Sequence, residues 1–465
     1  MNARRRLAFT LALGFISTIP AGAQFETRAS VAVPGEPESI AAGSFNQDGY
    51  TDLAVAGNAT NQLAILTGKG DGTFEKPTFL EEGASYVVTG DLRNTGTLDL
   101  ITGSAVNSVG VRLGNGNGTF GPLKTFPVPA SPFFLALGDF NGDHFLDAVV
   151  ADKSGGCECI SVLLGNGDGT FRKAIETNSP YPLSALGLGD FNGDGILDIA
   201  TVGQFGGSSE VGILLGNGDG TFHAIGSYSV YDGPQSVAVA DFNGDHILDL
   251  AVAEPIGGAI SIFLGNGDGT FTPAPTIGAF FPAGAISADF NGDQIPDLAV
   301  VTGLTSSVVS VFLGVGDGTF LPEMDFPAES SGALAVGDFN RDGRTDIVVG
   351  AYLDNQVVTL LNTGVADFSP TTTLNFKRQA VGTKSEAQKV TLTNTGKTPL
   401  TISAMKVAGQ FGMSSNCGKG VAAGKSCTIS VTFSPQSQGA KSGTVTMIDS
   451  ASSKPMVIEL SGTGT

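Results

Sequence analysis

The chain has 465 residues, with 44 Asp and Glu against 24 Lys and Arg, a formal charge of −20, 67 Gly and no Trp. That length fits a large domain followed by a second one. The acidity argues against nucleic acid and anionic lipid surfaces as partners, since both call for basic patches.

Residues 1–23 read as a secretory signal peptide: Arg4, Arg5 and Arg6, an apolar run from Leu7 to Ile19, then Ala21-Gly22-Ala23 as the cleavage site. The run is shorter than the roughly 20 residues that span a bilayer, so the mature chain carries no transmembrane anchor. No Cys follows it, which argues against a lipoprotein anchor. The mature charge becomes 21 − 44 = −23. The stretch from Gln24 to Pro34 then reads as one lone strand. Beyond it, short β-branched runs between Gly, Asn and Asp, with little helical periodicity, predict an all-β protein.

A loop motif repeats through the next three hundred or so residues. Its clearest copy runs from Asp190 to Asp198. Side-chain oxygens stand at Asp190, Asn192, Asp194 and Asp198, positions 1, 3, 5 and 9, and Ile196 offers a carbonyl at position 7. Hard oxygens at this spacing suit Ca²⁺, which takes 6–8 oxygen ligands, better than Mg²⁺. The other complete copies are Asp139, Asn141, Asp143, Phe145 and Asp147; Asp241, Asn243, Asp245, Ile247 and Asp249; Asp289, Asn291, Asp293, Ile295 and Asp297; and Asp338, Asn340, Asp342, Arg344 and Asp346. A weaker copy has Ser44, Asn46, Asp48 and Asp52. The weakest runs from Asp91 to Asp99, with Arg93 and Thr95 at the third and fifth positions. Successive copies are 47, 48, 51, 51, 48 and 49 residues apart. A period of this length means a propeller, a solenoid or an array. Five to six structural Ca²⁺ are expected, with none at Asp91–Asp99; five ions would bring the mature charge to −13.

Each unit carries four strand signals: one enters the loop, one leaves it, one leads into a Gly-rich turn, and a variable one follows. The turn itself recurs at 68–74, 114–120, 165–171, 216–222, 265–271 and 314–320. A tight hairpin explains it better than a second calcium site, because each copy has only one acid and Asn117 replaces it in one. Asp-Phe-Asn-Gly-Asp-Gly-x-x-Asp followed by Leu-Gly-Asn-Gly-Asp-Gly-Thr-Phe resembles the FG-GAP/VCBS repeat of the integrin α-subunit propeller and of many bacterial surface and secreted proteins. The resemblance covers residues 24–368 and implies one four-stranded blade per repeat, hence a seven-bladed β-propeller. The seventh repeat, ending at Phe368, lacks a proper fourth strand. Gln24–Val33 is the spare strand, with Phe25 matching the Phe that opens the other fourth strands, and would close the ring.

Residues 369–376, rich in Ser, Pro and Thr, read as a linker. From 377 to 465 the repeat stops and Lys and Thr rise. Alternating strands such as Lys389–Asn394 and Cys427–Phe433 follow. Asn394-Thr-Gly and Phe433-Ser-Pro resemble the Ig-like β-sandwich of the ASH/Hydin class. Cys417 and Cys427 are expected to form a disulfide. Cys157 and Cys159 either close a small ring or stay reduced.

Catalytic signals are thin. His144, His223 and His246 are the chain's three histidines, two of them at turn positions of the loops, and no nucleophile elbow, zinc motif or phosphate loop is present. In a propeller of this kind the acidic loops and the Gly-rich turns share one face. The opposite face is variable and holds Phe133, Phe134, Tyr181, Phe205, Tyr231, Phe280, Phe281 and Tyr352, a candidate ligand face. The expectation is an exported, secreted or surface-held, calcium-stabilised, non-catalytic module that binds an extracellular protein or glycan. The rivals are a polysaccharide lyase or hydrolase built on the propeller, and a structural envelope protein.

Overall fold

The computed structural model describes residues 25–33, 35–57, 62–81, 83–104, 107–152, 159–205, 207–304, 307–328, 331–362, 367–369, 373–394, 400–422, 424–449 and 456–465. The predicted leader, residues 1–23, lies outside them, as do Cys157 and the side chains of Phe133 and Phe205. The chain divides into two compact units, one within residues 23–364 and one from residue 365 to the end. Among the described residues there is no helix.

The first unit is a ring of seven antiparallel sheets, each a blade. Blade four shows the plan: inner strand Ala185–Gly189, then Asp198–Phe205, Ser208–Gly216 and outer strand Phe222–Ser229. The second strands are apolar on both faces because blades stack face to face; Asp249–Glu254, Asp297–Thr302 and Asp346–Ala351 are buried at every position. Hydrophobic clusters bridge every neighbouring pair of blades, including the last and first, where Val348 and Val357 meet Leu53 and Val55.

The closing strand is Phe25–Ala32, which pairs antiparallel with Gln356–Asn362 as the outer strand of blade seven, as the repeat count requires. The ring therefore leaves no blade incomplete. Phenylalanines latch it near the loops. The Phe at position 2 of a loop meets, edge to face, the Phe that opens the outer strand of the following blade. Phe45–Phe120, Phe140–Phe222, Phe191–Phe271, Phe242–Phe320, Phe290–Phe25 and Phe339–Phe74 have centroids 5.3–6.0 Å apart. In blade two, Leu92 takes the place of that Phe and packs in one cluster with Phe171. Backbone bonds reinforce the latch: the amides of Gly72, Gly118, Gly269 and Gly318 donate to the carbonyls of Phe339, Phe45, Phe191 and Phe242 at 2.9–3.0 Å.

The second unit packs two sheets over a core of Val390, Ile429, Val431, Phe433, Val445, Met447 and Ile458. The expected linker differs here. Thr373–Asn375 is a strand that runs parallel to Met456–Gly464, and Leu374 and Phe376 are core residues. Their alternation was masked by the Thr-rich composition around them. Cys417 and Cys427 form a disulfide.

Candidate functional site

The seven acidic loops lie at one end of the blades, each joining an inner strand to the second strand. The loop from Asp190 to Asp198 is held by its own side chains. Asp190 accepts the amides of Gly193, Asp194 and Gly195 at 2.7–3.1 Å. Asn192 Oδ1 accepts the Asp194 amide and Asp194 Oδ1 accepts the Ile196 amide. Glycine serves position 6 here because that residue is left-handed, φ 83°; His144, His246 and Gln294 adopt the same conformation at φ 66–69°. The two histidines are thus exposed turn residues.

The position-9 aspartate is a bracket. Asp198 is fully buried; its Oδ2 accepts the Phe191 amide and its Oδ1 the Gly216 amide, both at 2.8 Å. Asp52, Asp99, Asp147, Asp249 and Asp297 do the same between their own loop and Gly-rich turn, and Asp346 does so with Asn362. The aspartate therefore ties the loop to the third strand of its blade. In the Gly-rich turns the single acid is already satisfied: Asp219 Oδ1 accepts both the amide and the hydroxyl of Thr221. The Thr221 hydroxyl first, then its amide, lower the Asp219 pKa. This is a hairpin device.

Burial pushes the bracket aspartates up, to about 6 at Asp147 and Asp249 and about 7 at Asp297 and Asp346. The two donated amides oppose that shift, and the acids at positions 5 and 1 add to it. Each complete loop thus holds a buried carboxyl group beside two further acidic side chains and an amide oxygen. The donor set is all oxygen, which fits Ca²⁺. Among the described residues, no three acidic, His or Cys side chains converge on a metal-sized point. Asn192 Nδ2 instead donates to Asp194 Oδ2 at 2.9 Å, and this amide–carboxylate contact is what an ion would replace.

Blade two has its own answer. Arg93, at position 3, places Nη2 2.7 Å from Asp99 Oδ1 and donates to the Gly114 carbonyl at 2.9 Å. The loop that lacks the acidic set carries a cation of its own chain. In blade seven Arg344, at position 7, reaches Asp342 at 3.1 Å.

On the opposite face the seven inner strands surround the mouth of a central cavity of about 740 Å³. Glu38, Ser39, Ser85, Gln235 and Ser236 supply polar lining, and Tyr86, Phe134 and Tyr352 the aromatic part. Serines stitch neighbouring inner strands: Ser39 Oγ bonds the amide and carbonyl of Val87, and Ser236 Oγ those of Ala285. Burial raises the Tyr86 pKa, and its ring lies 5.0 Å from that of Phe134.

The aromatics expected on this face separate by role. Phe134 and Tyr352 line the mouth. Tyr181 packs against Gly212, where a Cβ would collide with its ring, and belongs to the packing between blades three and four. Phe281 is half-buried, while Tyr231 and Phe280 are exposed. Sequence reasoning missed Ile256, Leu304 and Leu353, exposed on the same face. The usable signal was an apolar residue inside a Gly-, Thr- or Asn-rich connection, which a search confined to aromatics passes over.

The FG-GAP-like repeat profile matches residues 45–102, 91–150, 139–201, 190–252, 241–300 and 289–349. The profile described as abnormal spindle-like microcephaly-associated, ASPM-SPD-2-Hydin, matches residues 363–457. No curated protein sequence matches the chain. Among solved structures, the crystal structure of BBS1N in complex with ARL6DN, soaked with lead, is similar at TM-score 0.55 and 13% identity, over 73% of this chain and 97% of that one. The same complex soaked with mercury gives TM-score 0.54 and 12% identity over the same shares. At these identities the likeness speaks for the fold alone.

Proposed function

The chain belongs to the FG-GAP-like repeat family, and on that premise we propose that it is an exported, non-catalytic binding module whose ligand is an extracellular protein, held at the channel-mouth face while calcium in the acidic loops stabilises the ring from the other side. The observation that carries this reading is a division of labour between faces. The loop face is repetitive, and nearly every carboxylate there is engaged by backbone amides of its own blade. The opposite face varies from blade to blade and surrounds a wide, mixed polar and aromatic mouth. Repeated geometry serves the scaffold; variable loops on a rigid scaffold serve recognition. BBS1N, a similar propeller, is itself found with a protein bound, ARL6DN, which favours protein over glycan by analogy.

The test is an array of extracellular proteins and glycans probed with the mature chain in calcium, and re-probed with Phe134→Ala and Tyr352→Ala. Binding to a protein that these variants weaken about tenfold or more is expected. Turnover of a polysaccharide by the same preparation, abolished by a single substitution at the mouth, would replace this reading with an enzyme.

A further inference from the structure

We propose that blades four to seven carry a docking ledge, beside the channel mouth, for a protein segment that combines basic and large apolar side chains. The proposal rests on the binding-module reading and names the partner's chemistry. Among the described residues, the large apolar side chains more than half exposed are Tyr231 (56%), Ile256 (62%), Phe280 (72%), Leu304 (56%) and Leu353 (64%). Single exposed apolar residues are ordinary on any surface. These five all fall on the channel-mouth face; Tyr231, Ile256, Phe280 and Leu304 stand in four successive connections, and Leu353 follows after one intervening connection.

The connections are also joined. Gly257 donates to the Asp232 carbonyl at 2.8 Å, Ala279 to the Gly258 carbonyl at 3.1 Å, and Gly303 to the Phe280 carbonyl at 2.8 Å. The loops bearing Tyr231, Ile256, Phe280 and Leu304 therefore form one hydrogen-bonded ledge. Gly233 and Gly257 permit its close packing, since a Cβ at either would overlap Ile256 or Tyr231. Phe281, next to Phe280, holds a left-handed φ of 52°. A bulky residue keeps that conformation only where its surroundings impose it. An ordered backbone presenting apolar side chains to water is preorganised for a partner.

Charge selects the partner. No Lys or Arg stands between Lys173 and Arg341, a stretch that includes all of blades five and six. Asp232 lies beside Tyr231, Asp354 beside Leu353, and Glu210 is the third residue of the third strand of blade four. Below the ledge Glu254 is fully buried. A complementary surface is positive, and the apolar side chains ask for apolar ones in return.

The test uses the full mature chain in calcium and fluorescence anisotropy with three probes: a Leu/Lys peptide, a Leu/Glu peptide of the same length, and oligolysine. The Leu/Lys peptide is expected to bind most tightly, and Phe280→Ser with Ile256→Ser to weaken it at least about tenfold. Oligolysine, held by charge alone, should change little. Equal binding of the two leucine peptides, or equal losses for the Leu/Lys peptide and oligolysine in the variant, overturns the proposal. So does self-association in sedimentation that the same variant abolishes, because the ledge is then an interface between copies. A protein from the array that loses affinity with Tyr352→Ala but not with Phe280→Ser and Ile256→Ser leaves the module reading standing and removes the ledge alone.

Discussion

Arg93 Nη2 lies 2.7 Å from Asp99 Oδ1, in the one loop of seven whose third and fifth positions are Arg and Thr. Asp99 is fully buried, and the Arg93 side chain is about three-quarters buried. Truncating Arg93 leaves the carboxylate with two amides and no countercharge. Arg93→Gln should cost about 1.5–3 kcal/mol, the usual worth of a hydrogen bond to a charged group. The loss should be the same with calcium or with chelator, read by denaturant unfolding. A loss seen only in calcium would mean that this loop binds metal after all.

The same comparison gives a stoichiometry. Elemental analysis of the mature chain should find five ions, or six if the Ser44–Asp52 loop binds. Arg93→Asn with Thr95→Asp restores the oxygen pattern of Asp190–Asp198 and should add one more. One ion or none in the wild type contradicts the reading of these loops.

Glu254 supplies the pH dependence. Burial raises its pKa above the ordinary 4.5, with the Ser261 hydroxyl and the Tyr231 amide opposing the shift. The folded state therefore holds this proton more tightly than the unfolded state. Its contribution to stability is present below about 4.5 and is lost as pH rises through the raised folded value. Glu254→Gln removes that loss. Its Tm relative to wild type should be more favourable at pH 7 than at pH 4, and an equal difference at the two pH values would show that the carboxyl does not titrate in this way.

Phe25 fixes the ring closure. Its ring meets Phe290 at 5.7 Å and Phe326 at 5.1 Å, edge to face. Phe25→Ala should cost roughly 2 kcal/mol, below the usual range for a fully buried Phe because this one is only partly buried. Deleting residues 25–32 should bare the edge of Gln356–Asn362 and promote aggregation. A monomeric deletion variant with an unchanged Tm would show that closure does not depend on this strand.

Much of the architecture was legible because each repeat states it anew. Blade count and the spare strand at Phe25 follow from period and register, and the apolar second strands from their lack of alternation. Contacts between repeats were less legible. Nothing local to Phe191 marks Phe271 as its partner, and nothing local to Tyr181 marks Gly212 as its seat, since both meetings depend on how blades stack. Asp198 looked like a fourth ligand; that it also clamps Phe191 and Gly216 appears only when the chain is folded. Leu374 and Phe376 were hidden by their Thr- and Asn-rich surroundings.

Calcium in the loops is the claim on which the division between the two faces turns. A site with a Kd of about 0.1 mM, in about 1 mM calcium, adds roughly 1.4 kcal/mol, and five independent sites roughly 7 kcal/mol, comparable with a domain's whole stability. Asp194 accepts bonds from Ile196 and Asn192 without any ion, so Asp194→Ala should cost about 0.5–1 kcal/mol in chelator and clearly more in calcium. The direct measurement is thermal melting of the wild type and Asp194→Ala with and without chelator. The predicted result is a wild type that melts far lower in chelator, and a gap between the two proteins that widens when calcium is added. Identical wild-type melting in both conditions would contradict it.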